Sequence, residues 1–166
     1  MLRATLEAST GWDIGLAPAG SEARPNSVTL AAGAAGLPAD GYRLEVRRVP
    51  AANGAGGGSG SAGAVTVTGG GPAGVFYGTQ TLRLLLPPDT LRGAAPADPP
   101  EVLDVPVADI EDAPRYAWRG VHLDVARHFV PKQWILRLIE LAALHKLNVL
   151  HLHLTDDQGW RFPVER

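Results

Sequence analysis

Leu147-Asn-Val-Leu-His-Leu-His-Leu-Thr-Asp-Asp-Gln-Gly-Trp-Arg161 is the stretch around which the rest of this 166-residue chain makes sense. From Asn148 to Leu154 the residues alternate. Val149, His151 and His153 fall on one side, and Leu150, Leu152 and Leu154 on the other. A strand that is apolar on one face and imidazole-bearing on the other is half buried and half committed to polar work. Two carboxylates follow it at once, Asp156 and Asp157, then Gln158, Gly159 and Trp160. Polar groups crowded at the carboxyl end of a strand form the active-site rim of α/β folds. The simpler alternative is a helix N-cap at Thr155 or Asp156. Capping accounts for one acid and leaves the second Asp and the Trp unexplained.

Upstream, Trp118–Arg127 reads as another strand, with Val121, Leu123 and Val125 on one face and His122 and Asp124 on the other. Pro131 suits the first turn of a helix, whose expected buried face is Ile135, Leu138, Ile139 and Ala142, with Trp134 and Leu141 alongside. About 20 residues separate the two strands, the length of a right-handed βαβ crossover, so they are expected to run parallel. Their carboxyl ends, Arg127 and Asp156–Asp157, then share one rim.

Before the boundary at Asp112–Tyr116 the pattern is that of a small α+β layer. Met1–Gly20 holds one expected strand, and Ser27–Ala32 another. Tyr42, Leu44 and Val46 alternate with Arg43, Glu45 and Arg47 in a half-buried antiparallel strand, Gly41–Val49,. Its expected partner is Ala64–Thr68, across a Gly/Ser/Ala hairpin loop, Asn53–Gly63, which lacks the Lys-Ser/Thr or GxGxxG pattern of a phosphate loop,. Gly74–Leu86 shifts to helical periodicity, ended by Pro87 and Pro88,. Leu91–Pro100 reads as a loop, and Glu101–Ile110 as an edge strand, since Pro106 is unfit for a sheet interior,.

Composition excludes several classes of function. A formal charge of −2 and a pI near 6.2 give no nucleic-acid footprint,. The absence of cysteine rules out disulfides and thiolate metal sites,. No apolar run approaches the roughly 20 residues that span a bilayer. The first ten residues carry Glu7 where a signal peptide needs an apolar core, which leaves localisation open between the cytoplasm and an exported parent,.

Three segments carry a family likeness: Gly74-Val-Phe-Tyr-Gly-Thr-Gln-Thr-Leu82, Asp112-Ala-Pro-Arg-Tyr-Ala-Trp-Arg-Gly-Val-His-Leu-Asp-Val-Ala-Arg-His-Phe129, and Lys146 through Arg161. In that order they strongly resemble the β-N-acetylhexosaminidases, glycoside hydrolase family 20, over about Gly41 to Arg166. The resemblance implies an α/β chain with a small N-terminal domain, 1–111, and the first β-α-β of a (β/α)₈ barrel from 112 to 166. It implies a retaining hydrolase that removes terminal N-acetylglucosamine or N-acetylgalactosamine, with the substrate's own 2-acetamido oxygen as nucleophile, and no cofactor. The expected partner is an N-acetylhexosamine-terminated oligosaccharide or glycoconjugate, with neither nucleic acid nor membrane. Arg127 matches an arginine that binds the sugar's hydroxyls. Asp156 matches a supporting acid that holds a downstream histidine, and Asp157 and Trp160 are possible rim residues.

The family's catalytic Asp–Glu pair has no match here. A barrel takes about 250 residues, so the chain is expected to be a fragment, inactive alone and prone to association. Several simpler readings stand beside these. Arg127 could form a surface ion pair with Asp124 or Asp156, His151 and His153 could be polar lining, and Trp118, Trp134 and Trp160 could be packing residues. Two rival functions also stand: a metal-dependent amidohydrolase-like barrel using His151 and His153, and a non-catalytic carbohydrate-binding module.

Overall fold

A computed structural model of the chain describes residues 2–18, 21, 24–49, 62–92 and 94–163. It divides into two compact units, Met1–Pro114 and Arg115–Arg166. The Asn53–Gly63 hairpin loop expected from the sequence lies almost wholly outside the described residues.

The first unit is a four-stranded mixed sheet with helix α2, Pro72–Leu85, packed on it. Strand β1, Ser27–Ala32, runs parallel to β3, Ala62–Gly69. Strand β2, Tyr42–Val49, lies antiparallel between β3 and β4, Ala108–Asp112. The alternation in β2 places Tyr42, Leu44 and Val46 in the core with Val67, Tyr77 and Leu82. Its other face carries Arg43, which pairs with Glu111 across the strands at 2.9 Å. Burying each large apolar side chain contributes about 1.5–3 kcal/mol, so this cluster stabilises the unit more than the exposed ion pairs do.

Two expectations for this unit need correction. The N-terminal segment forms a helix, α1, Leu2–Thr10, and among its described residues there is no strand. Arg3 and Glu7 pair one turn apart at 2.7 Å, and Gly11, at φ +74°, closes the helix in the left-handed region that only glycine adopts without strain,. The segment is too short for periodicity alone to separate helix from strand. Strand β4 is an edge strand, but it begins at Ala108, past Pro106, and extends to Asp112. Proline has no N–H to give the ladder, so pairing starts only beyond it.

In the second unit β5, Gly120–Asp124, and β6, Val149–His153, pair in parallel, joined by α3, Lys132–Leu144. Register is fixed at the N-terminal end by a clamp between the residues that precede the two strands. Asn148 N donates to Arg119 O, Arg119 N donates to Asn148 Oδ1, each at 3.0 Å, and Asn148 Nδ2 donates to Ala117 O at 2.8 Å. Helix α3 ends in a Schellman turn. Leu147 N donates to Ala142 O and Lys146 N to Ala143 O, with Lys146 itself left-handed at φ +58°,.

Strand β5 is shorter than the expected Trp118–Arg127, because Val125 N and Ala126 N both turn onto His153 O at 3.2 Å. The stripe expected to bury α3 is largely open. Ile135, Leu138 and Ala142 are half-buried, whereas Trp134, Ile139 and Leu141 are exposed. Two strands about 4.8 Å apart offer a narrower apolar surface than a helix about 10 Å across can press against. Trp118, Trp134 and Trp160, read as packing residues, are exposed as well. Among the described residues of this unit only Val125 and Ala126 are buried. No helix among the described residues is long and apolar enough to cross a membrane.

Backbone contact in the first unit yields a stability prediction. A Cβ at Gly74 would lie 2.0 Å from Gly41 O, a backbone atom that cannot swing aside, whereas one at Gly15 meets nothing within 4 Å. Gly74→Ala is therefore expected to destabilise the unit by about 1–3 kcal/mol, and Gly15→Ala to change little. Urea unfolding followed by the circular dichroism of the chain compares the two, and equal midpoints would contradict the packing described here.

Candidate functional site

The site is built at the carboxyl ends of β5 and β6, where the in-register pairing sets Asp124 opposite His153. Past Asp124 the chain makes a tight turn. Asp124 Oδ1 accepts from the N–H groups of Ala126 and Arg127, both at 3.0 Å. That turn returns the Arg127 guanidinium over its own strand end. There Nη1 donates to Asp124 Oδ2 at 2.5 Å and Nη2 donates to Asp156 Oδ2 at 2.8 Å. Asp156 belongs to a two-residue hairpin arm, β7, Thr155–Asp156, paired with β8, Gly159–Trp160. Its Oδ2 also lies 2.7 Å from His153 Nε2, and its Oδ1 accepts from Asp157 N at 2.9 Å.

The electrostatics follow from these contacts. The Asp157 N–H beside Asp156, then the His153 ring and the Arg127 cation, hold the Asp156 carboxyl down at about 2,. Asp124 is lowered too, first by the backbone N–H of Arg127 and further by its guanidinium. Arg127 is raised, first by its hydrogen bond to Asp124 and then by the charge on Asp156. Both acids are thus carboxylates at neutral pH, and Arg127 holds its cation between them. A guanidinium offers five N–H donors in a fixed fork. Arg127 directs two of them to carboxylates while about half of its side chain stays exposed.

The candidate residues fall into two groups. Arg127 and Asp156 meet directly, and His153 joins them. The family likeness leads one to expect that Asp156 holds a downstream histidine; in this chain the imidazole on it comes from three residues upstream. The ion pairs with Asp124 and Asp156 that the simpler reading of Arg127 expected are both present. Asp157 contributes its backbone N–H and keeps an exposed side chain. His151 packs edge-on against His122, ring centres 4.8 Å apart, on the strand face that also bears His153. An open cleft of about 430 Å³ lies at this end of the unit, lined by His151, Leu152, His153, Leu154, Thr155, Trp160 and Phe162. Arg127 and Asp156 are not part of its lining. Among the described residues no group of three or more His, Asp or Glu is placed to hold a metal ion. Asp124, as the acid that aims Arg127, had a sequence signal in its position three residues before the arginine at a strand end.

Family models match the chain along nearly its whole length. Domain 2 of glycosyl hydrolase family 20 covers residues 1–113, and the catalytic domain of the same family covers 116–166. The chain belongs to glycosyl hydrolase family 20. Beta-hexosaminidase B of Pseudoalteromonas piscicida is 44% identical over 101 residues, which is 61% of this chain and 12% of that protein. Beta-N-acetylhexosaminidase of Cellulomonas fimi is 56% identical over 72 residues, 43% of this chain and 14% of that protein.

Among solved structures, a mutant Streptomyces plicatus beta-hexosaminidase in complex with the product GlcNAc superposes with a TM-score of 0.74 at 37% identity, covering 96% of this chain and 28% of that one. The family 20 β-N-acetylhexosaminidase of Streptomyces coelicolor gives 0.72 at 36% identity, with the same coverage. This family-20 chain thus has the α/β fold of these structures over an N-terminal domain and part of the catalytic domain, and spans between 9% and 28% of the length of these and other relatives.

The lowered Asp156 sets a pH dependence. A carboxyl whose value falls on folding adds stability that is fully present above its ordinary range, near 4, and is lost as pH drops toward 2,. Carboxyl-carbon NMR of the chain should therefore show Asp156 titrating at about 2, with amide protection across β5–β6 declining over the same interval. In Asp156→Asn this acid-dependent decline should shrink. An ordinary midpoint for Asp156 in the parent chain would overturn the assignment.

Proposed function

We propose that this chain carries the N-terminal domain, residues 1–111, and the first β-α-β of the (β/α)₈ catalytic barrel, residues 112–166, of a retaining β-N-acetylhexosaminidase. Supporting the division, the two compact units part after Pro114 and the two family models part between 113 and 116. The substrate class is a glycan ending in N-acetylglucosamine or N-acetylgalactosamine. The product-bound Streptomyces plicatus enzyme and the N,N'-diacetylchitobiase of Vibrio harveyi among the relatives support N-acetylglucosamine.

A single observation carries this reading: Arg127, at the end of one parallel strand, meets Asp156, just past the end of the next, at 2.8 Å. In the proposed reaction the acetamido oxygen attacks the anomeric carbon as the glycosidic bond breaks, and a general acid protonates the departing oxygen. The acid and the aspartate that orients the acetamide are assigned to no residue of this chain. Its own residues bind. Arg127 donates from its free N–H groups to vicinal hydroxyls, while Asp124 and Asp156 hold its plane so that little orientation is lost when sugar arrives. The metal-dependent alternative gains nothing from His151 and His153, which find no third ligand among the described residues.

A chromogenic β-N-acetylglucosaminide assay tests the proposal on the 166-residue chain and on the product of the gene's full reading frame. Turnover is expected only where an Asp–Glu strand end accompanies these residues. In that protein Arg127→Ala should lower kcat/KM by roughly 10- to 100-fold, the scale of losing charge-assisted hydrogen bonds in the transition state. Absence of turnover in the longer product, or an unchanged kcat/KM in the variant, would refute it. Sugar binding without any turnover would favour the carbohydrate-binding module.

A further inference from the structure

Arg127 is held at its tip by carboxylates, but its Cα rides on the Val125–Ala126 turn, and this turn is gripped from two sides. On one side its N–H groups reach His153 O at 3.2 Å, which ties it to β6. On the other, Arg161, directly after the small hairpin, donates from Nε to Val125 O at 3.0 Å and from Nη2 to Ala126 O at 3.4 Å. Arg161 is itself anchored by its backbone N–H on Leu154 O at 2.9 Å, and its guanidinium lies 5.6 Å over the Phe129 ring. Gly159 completes the grip. A Cβ there would lie 2.6 Å from Ala126 O, so the hairpin reaches the turn only because this residue has no side chain. Val125 and Ala126 are also the two buried residues among those described in the unit, so the tightly packed point seen there is the point Arg161 clasps.

We propose that Arg161 is a positioning residue for the sugar-binding arginine: it fixes the turn that carries Arg127 against the hairpin that carries Asp156, and so sets the distance between them. The role rests on the hexosaminidase reading for its purpose, though its geometry stands apart from it. Five donors in a planar fork let one side chain take two successive carbonyls while stacking on an aromatic ring, which a lysine ammonium cannot reproduce. Without the clasp, the turn keeps its bonds to β6 but loses its tie to the hairpin, and the Arg127–Asp156 contact loosens.

Side-chain NMR of the full 166-residue chain tests this without any sugar, so its outcome is independent of whether the protein turns over a hexosaminide. In the parent chain Arg127, pinned between two carboxylates, should show resolved Nη signals from slowed guanidinium rotation. In Arg161→Met these signals should average, the Asp156 midpoint should rise from about 2 toward its ordinary value, and the β5–β6 amides should keep their protection. Arg161→Lys, which retains charge and stem, should lose the Arg127 signature as well, and it decides the matter if the Met variant unfolds the second unit. Gly159→Ala should act in the same direction. An Arg127 signature and Asp156 midpoint unchanged in the folded Arg161 variants would overturn the proposal.

Discussion

The contact on which the second unit depends is an ion pair between strand ends: Arg127, beyond β5, and Asp156, beyond β6. It exists because two parallel strands in exact register bring their carboxyl termini to the same level. Antiparallel pairing would have sent the two groups to opposite ends, and a one-residue slip would have turned one of them to the other face. The register is secured at both ends by side chains rather than by a core. Asn148 and Arg119 clamp the beginning, while Asp124, His153 and Arg161 organise the finish. Hydrogen bonds are directional where apolar packing is not, so a unit with two buried residues among those described can still hold a defined rim,.

The first unit solves a different problem. Its sheet is covered on one face by α2, and its order comes from buried alternation along β2 and from close backbone approach at glycines. Tyr42 shows how the two kinds of order meet. Its ring is buried against α2, while its hydroxyl donates to Asp112 at 2.8 Å, at the end of β4. The edge strand is therefore tied to the core at its last residue, immediately before the chain leaves this unit.

How far the sequence could be read differs with the length of the pattern. The eight-residue alternation of β2 and the helical stripe of α2 are long enough for one period to exclude the other. The parallel pairing of β5 and β6 was legible from the crossover length alone. The N-terminal helix was not, because nine residues ended by Gly11 satisfy either period about equally. The exposed stripe of α3 was hidden for another reason: periodicity reports which face is apolar and says nothing of how much surface lies opposite. At the site, Arg127 and Asp156 stood out as polar residues at strand ends. The histidine on Asp156 did not, because a partner three residues upstream is reached only after the chain bends out of β6 into the β7 arm. Arg161 carried no signal at all, since its partners are main-chain carbonyls, which have no sequence identity.

The charges at the rim also constrain what it can bind. Asp124, Asp156 and Asp157 surround Arg127, so the group as a whole is electronegative at neutral pH despite the guanidinium at its centre. A phosphate or carboxylate arriving at Arg127 would gain one cation and meet two flanking anions already bonded to it. Displacing either would strand a carboxylate that the fold has placed within reach of N–H donors. A neutral polyol faces no such conflict. Its hydroxyls accept from the unengaged guanidinium N–H groups and donate to the same carboxylates, so each new bond leaves the existing ones in place. The ion pair therefore does more than orient an arginine. By neutralising the arginine beforehand, it turns a cation that would attract any anion into a fork of donors, the form that the proposed sugar substrate would need.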